Sequence, residues 1–486
     1  MRLSRNTLWL IIGLIDGCVA GIIRDFEPLE HLGANSPWFA GPNVNHISSD
    51  IPAGCTVDQA AYIVRHGSRY PDAGAYEQWT ELHEKIQSAR FRARGSLKFI
   101  PDWAPVLSHP EQQIAQLSVT GYKELYDMGT TLRHRYPTFY TDNTPYFLWS
   151  NEFQRTIDSA RLFARGYLGP NATTYGTVHA VNSTSPDSVG NSLATSDLCP
   201  NFADASGGDF AKKWDSIYLP PITKRLNRLL VGNLTLTDED TSKFMYLCGF
   251  ETQITGQRSP WCDVFSEREV MQYEYRQDLR YYYGTGPGAG KNMTVMYPVL
   301  QAVVGLLEDG PGMAAAKTPC EDGDVDGGNE CTTPLPPLIV AFTHDNQINE
   351  LVSITGVFDE LEPLSPKRMG RNSIYSSSRV NPMRGTVAFE RLNCSSSTSS
   401  EPINIRIRLN DAVYPLPTCH SGPGHSCPLT KYAAYVREKV RSEEVYGSFA
   451  AVCGLSESYG DGNGDGDGAA TFFTDLTLGI SREIAV

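Results

Sequence analysis

The most constraining feature is an apolar run that stops abruptly in charge. Ala61-Tyr62-Ile63-Val64 is followed at once by Arg65-His66-Gly67-Ser68-Arg69-Tyr70-Pro71. A short β-prone run of this kind suits a buried strand. The charged residues then sit at the strand's carboxyl end, where open α/β sheets gather their ligand chemistry. Gly67 is expected to let the chain turn through angles closed to other residues, and Pro71 stiffens the exit. Arg65 and Arg69 carry planar, permanently charged forks that match phosphate oxygens. His66 is the one group among them able to act as a nucleophile.

Two more apolar runs end in the same way. Tyr146-Phe147-Leu148-Trp149 leads through a polar turn to Arg155, near the start of a helix expected over 156–167. Leu338-Ile339-Val340-Ala341-Phe342 leads to Thr343-His344-Asp345, with a helical stretch from Gln347. If the three strands run parallel, one sheet edge collects three arginines, two histidines and a carboxylate. Helix starts there also favour anions. Such a set suits phosphoryl transfer, which depends on holding charged oxygens and positioning the groups. Arginines near His66 would also lower its pKa and keep it unprotonated in acid. Asp345 is suited to protonate a leaving alcohol. The ten histidines lie scattered without metal-ligand spacing, so no metal site and no cofactor are read from the sequence.

The rest of the chain sets the context. A net charge of -14 argues against nucleic acid as a partner. Arg2 and Arg5, the short apolar stretch 8–15 and Cys18-Val19-Ala20 read as a signal peptide over residues 1–20. No other stretch is long and apolar enough to cross a membrane. Removing the signal leaves ten of eleven cysteines, an even number suited to disulfides. Sequons at Asn171, Asn182, Asn233, Asn292 and Asn393 fit a secreted glycoprotein.

Residues 21–54 are expected to form an irregular arm, and 170–210 a polar connection. Helices are expected over 76–94, from Ser118 to Tyr136, across 211–283 and over 293–307. Residues 386–392 and 403–409 alternate like antiparallel strands. The acidic stretches beginning at Asp322 and Asp461 lack the closing glutamate of a calcium loop, Thr333 and Phe472 standing at that position.

The pattern Arg65-His66-Gly67-x-Arg69-x-Pro71, with His344-Asp345 after a later strand, resembles the histidine acid phosphatases, branch 2 of the histidine phosphatase superfamily, and among them the fungal phytases. Trp149 to Leu168 is similar to the segment carrying the family's third phosphate-binding arginine, here Arg155. Leu409-Asn410-Asp411-Ala412-Val413 resembles a late family segment. The resemblance implies an α/β sheet core flanked by helices with an inserted, mainly helical cap. The core is expected over roughly 50–75, 140–200 and 295–486, and the cap over roughly 76–139 and 201–294, within one unit spanning 21–486.

The roles come from the same resemblance. His66 attacks phosphorus and becomes a phosphohistidine. Arg65, Arg69, Arg155 and His344 bind the phosphate, and Asp345 protonates the leaving group. The resemblance also pairs Cys55 with Cys394, Cys199 with Cys453, Cys248 with Cys262 and Cys419 with Cys427, leaving Cys320 with Cys331. The expected activity is hydrolysis of phosphate monoesters, with phytate as one substrate. The alternatives are a broad acid phosphatase, a phosphotransferase or mutase, and a non-catalytic binder of phosphorylated ligands. Phytate-selective relatives are lysine-rich after the motif, where this chain has Asp72-Ala73-Gly74-Ala75-Tyr76-Glu77. Arg280 stands where the family often has a lysine pair, and Lys212, Lys213 and Lys291 are candidate substitutes.

Overall fold

A computed structural model describes residues 26–318, 331–370, 373–394, 401–441, 448–455 and 468–486. The expected signal peptide, Cys320 and the two acidic stretches from Asp322 and Asp461 lie outside the described residues. A nine-stranded mixed sheet forms the centre. Its strands are β1 (Thr56–Arg65), β2 (Tyr146–Asn151), β3 (Gly176–Val181), β4 (Leu338–Thr343), β5 (Thr386–Asn393), β6 (Ile403–Leu409), β7 (Ala412–Val413), β8 (Cys427–Pro428) and β9 (Ile480–Ala485). The order is β7-β6-β5-β1-β4-β2-β3-β9, with β8 on β6.

Strands β1, β4, β2 and β3 run parallel. Arg65 is level with Thr343, and Ser150 with Phe342. The three strand ends therefore share one edge, as their sequences suggest. Strands β5 and β6 add antiparallel beside β1. Alternation along β1 serves two cores. Ala61 and Ile63 face one buried cluster, and Ala60, Tyr62 and Val64 face the other. Burying each of the larger apolar side chains contributes about 1.5–3 kcal/mol.

The second face is covered by α2 (Val119–Arg135) and α3 (Gln154–Leu168). Leu125, Met128 and Leu132 of α2 join Tyr62 and Val64 there. Helix α2 was expected in the cap, within 76–139. It packs on the sheet because its apolar stripe fits the even-numbered side of β1. The helices beside the carboxyl edge are α1 (Ala73–Ser88), α4 (Ala205–Asn227), α5 (Phe244–Thr255) and α6 (Glu267–Gly284). They pack through Trp79, Trp214, Phe244, Phe250 and Trp261. The core side carries α7 (Tyr297–Asp309), α8 (Asp345–Ile354) and α9 (Leu429–Arg441).

The expected polar connection over 170–210 instead contains β3, whose Val178, Ala180 and Val181 are fully buried. Strand β9 and the buried pair Phe472 and Phe473 bring the chain's end back to the sheet, where Trp149 Nε1 donates to the Phe472 carbonyl at 2.9 Å. The pairs Cys55–Cys394, Cys199–Cys453, Cys248–Cys262 and Cys419–Cys427 are bonded. No helix among the described residues is long and apolar enough to cross a membrane.

Candidate active site

The site begins where β1 ends. The His66 N–H continues the ladder by donating to the Thr343 carbonyl at 3.0 Å. The loop beyond is clamped from two helices. Ser68 donates its N–H and its hydroxyl to Glu124 of α2, at 2.7 and 2.8 Å. Gly67 N–H donates to Ser159 Oγ of α3 at 3.2 Å. The role of Gly67 differs from the one expected. It is not among the residues with positive φ. It is glycine because a Cβ would lie 2.4 Å from Leu125 Cδ2 and 2.9 Å from the Gly121 carbonyl. Close approach of α2, and not a special turn, demands it.

The tautomer of His66 is set by its partner. Its Nδ1 lies 2.9 Å from the Gly67 carbonyl, which can only accept, so Nδ1 carries the proton. Nε2 is then the basic nitrogen. His66 is 1% exposed, and burial, followed by the Arg155 charge, holds its pKa well below the usual value. A neutral imidazole with a free Nε2 is the form able to act as a nucleophile.

Arg65 is held by carbonyls on both sides. Its Nη1 donates to Ala34 at 2.6 Å and to Asn381 at 2.8 Å. The arm over 21–54 thus reaches under the site, which composition alone did not reveal. Arg69 Nη1 donates to the Tyr70 carbonyl at 2.9 Å, and its guanidinium lies over Phe250 of α5. Arg155, at the start of α3, donates from Nη2 to His344 Nδ1 at 3.1 Å. His344 caps α8 and packs edge-on against His66 at 5.5 Å between ring centroids. Burial and the Arg155 charge bring its pKa down to about 3.

Four donors of the site lack protein partners. The Nε atoms of Arg65, Arg69 and Arg155 and the Nε2 of His344 are buried and unpaired. A buried donor left unsatisfied costs about 1–3 kcal/mol. Anion oxygens are the acceptors suited to such donors. Asp345 completes the group, with Oδ2 3.8 Å from Arg65 Nη2 and 2.5 Å from the Tyr281 hydroxyl. Burial raises its pKa, but Arg65 and the Tyr281 hydrogen bond more than offset this and hold it well below the usual range.

Arg65, Arg69, Asp345 and Tyr281 line a cavity of about 450 Å³ between the sheet edge and the cap helices, and His66, Arg155 and His344 lie outside its lining. The cap wall presents Lys243, Arg276 and Arg280. Of the cations expected there, Arg280 lines the cavity, while Lys212, Lys213 and Lys291 are exposed outside it. Lys243 and Arg276 were not singled out from the sequence, because helical spacing does not say which cap face meets the sheet. Arg276 faces Asp215 at 3.4 Å, Lys243 faces Glu239 at 3.9 Å, and Arg280 pairs with Asp204. Asp72, after the motif, lines the same cavity.

Residues 56–410 match the family model of the histidine phosphatase superfamily, branch 2. The chain belongs to that family. This histidine phosphatase is 29% identical over 442 residues to an acid phosphatase of Komagataella pastoris, covering 89% of this chain and 88% of that protein. It is 27% identical over 446 residues to a phytase of Candida albicans, with 90% and 89% covered. The crystal structure of the phytase from D. castellii superposes with a TM-score of 0.77 at 25% identity, covering 92% of this chain and 90% of that one. The mixed sheet with its flanking helices is therefore the fold of a solved phytase.

Proposed function

We propose that this histidine phosphatase is an acid phosphatase that hydrolyses phosphate monoesters, phytate among them, through a phosphohistidine. The observation that carries the reading is the set of four unpaired buried donors on Arg65, Arg69, Arg155 and His344, together with a His66 whose Nδ1 is held as the protonated nitrogen. Nε2 of His66 attacks phosphorus, and the bond to the ester oxygen breaks. Arg65, Arg69, Arg155 and His344 hold the non-bridging oxygens as charge shifts among them. The leaving alkoxide takes a proton from Asp345, and water then releases phosphate from His66.

Asp345 is ionised in the free site, where Arg65, the Tyr281 hydroxyl and Arg69 outweigh its burial. A bound phosphoryl group adds negative charge beside it and raises its pKa. In acid the ester arrives singly ionised and supplies the proton Asp345 passes on.

The three cap cations support a substrate with more than one phosphate. Their acidic partners, and Asp72 in place of a lysine, favour a broad range of esters over strict selectivity. The signal-like start, the sequons at Asn171, Asn182, Asn233, Asn292 and Asn393, and the disulfides support secretion as a glycoprotein. The deciding experiment measures hydrolysis of phytate and of an aryl phosphate at acid pH, with His66→Ala as control. Both activities are expected to vanish in the variant. Full activity in His66→Ala removes the phosphohistidine, and an inert protein on both esters removes the enzyme.

A further inference from the structure

The proton donor is held from the cap. Tyr281, on α6, donates its hydroxyl to Oδ2 of Asp345 at 2.5 Å. Burial and the Asp345 charge push the phenol's pKa well above its usual value, so it stays a donor. Oδ2 also faces Arg65 at 3.8 Å. One carboxyl oxygen is therefore engaged twice, and Oδ1 is left to carry a transferable proton.

The tyrosine is itself fastened to the core helix that bears Asp345. Asn349 of α8 donates from Nδ2 to the Tyr281 carbonyl at 2.9 Å and to Thr285 Oγ1 at 2.9 Å. Its Oδ1 accepts from the Tyr375 hydroxyl at 3.0 Å, which fixes the amide's orientation. Asn349 is fully buried. Two bonds thus join α6 to α8 one turn apart, one through the Tyr281 backbone and one through its side chain. A residue held at both ends fixes a carboxylate better than a free rotor does.

We propose that Tyr281 is a positioning residue for the proton donor, and that the Tyr375–Asn349–Tyr281 chain sets the angle at which Asp345 meets the leaving oxygen. This rests on Asp345 being that donor. Proton donation matters most for alkyl esters, whose alcohols leave poorly, and least for aryl esters with stable phenolates.

The test compares kcat/KM of Tyr281→Phe on glycerol phosphate and on p-nitrophenyl phosphate. The expected loss is about tenfold or more on the alkyl ester and within about threefold on the aryl ester. The inhibition constant of inorganic phosphate should change little. Equal losses on both esters would make Tyr281 merely structural and overturn the proposal. Asp345→Asn is measured alongside. If it too lacks the split, the donor assignment has failed. If it shows the split and Tyr281→Phe does not, only the positioning role has failed. Should Tyr281→Phe not fold, Asn349→Ser frees the tyrosine's carbonyl while keeping its hydroxyl, and the same split, or its absence, decides.

Discussion

Nη2 of Arg155 donates to Nδ1 of His344 over 3.1 Å, and that bond fixes the tautomer of His344. A guanidinium can only donate, so Nδ1 must be the lone pair and Nε2 the N–H. The arginine thereby turns a neighbouring ring into a donor while keeping its own Nε for an anion. Arg155→Lys retains the charge and loses the fork. We expect kcat/KM to fall about 10- to 100-fold, the worth of a hydrogen bond to a charged group. Steady-state kinetics on an aryl phosphate measures it.

After burial, Arg155 is also the largest influence depressing both histidines. His344 titrates at about 3, below an ordinary histidine, so its neutral form persists into acid. The acid limb of kcat/KM should therefore lie near pH 3 and not near the pKa of free imidazole. Arg155→Gln removes a charge that disfavours the imidazolium, so the limb should move to higher pH. A limb left in place by Arg155→Gln would contradict the electrostatic account.

Gly67→Ala should cost about 1–3 kcal/mol, the usual range for overpacking. The added methyl meets Leu125 Cδ2 and the Gly121 carbonyl. Activity should fall with stability, since the same loop carries His66. Adding Leu125→Ala removes one of the two clashes and should recover part of the lost activity, although it opens a cavity. Urea unfolding with parallel assays separates the two effects.

Glu390 is fully buried among Arg406 and Arg135, each at 2.6 Å, and Arg408 at 3.2 Å, with the Tyr136 hydroxyl at 2.5 Å. Burial raises its pKa, but the three arginines prevail and bring it down to about 2. A depressed carboxylate contributes stability above its unfolded pKa, and that contribution is lost as pH falls toward the folded value. Glu390→Gln should cost about 3–5 kcal/mol near neutrality, because it leaves buried arginines uncompensated. The difference from wild type should shrink between about pH 4.5 and pH 2. Chemical denaturation across that window tests the sign.

Cys55–Cys394 ties the start of β1 to the end of β5 across 339 residues. Loop-entropy reasoning gives a contribution of about 6 kcal/mol as an upper value. Cys55→Ser with Cys394→Ser should lower the thermal midpoint more than the paired change at Cys248 and Cys262, 14 residues apart. Calorimetry ranks the two.

Much of the site was legible because chemistry and periodicity coincide at β1, β2 and β4. An apolar strand ending in Arg65-His66 or His344-Asp345 announces both its burial and its functional end. Strand β3 was missed because Gly176-Thr177-Val178-His179-Ala180-Val181 sits among polar, sequon-bearing residues. Strand β9 was missed because its alternation includes Arg482 and Glu483, and its partner strand lies far away in sequence.

The sequence by itself singled out His66, Arg65, Arg69, Arg155, His344 and Asp345 as candidates and pointed to the family, since chemical character and local spacing reside in residue types. Tertiary structure alone decided which nitrogen of His66 is basic, why Gly67 has no side chain, and which cap cations face the cavity. It also brought Tyr281 to Asp345 from another helix. Those relations depend on the packing of segments far apart in the chain, and residue spacing carries no record of the angle at which two helices meet a sheet.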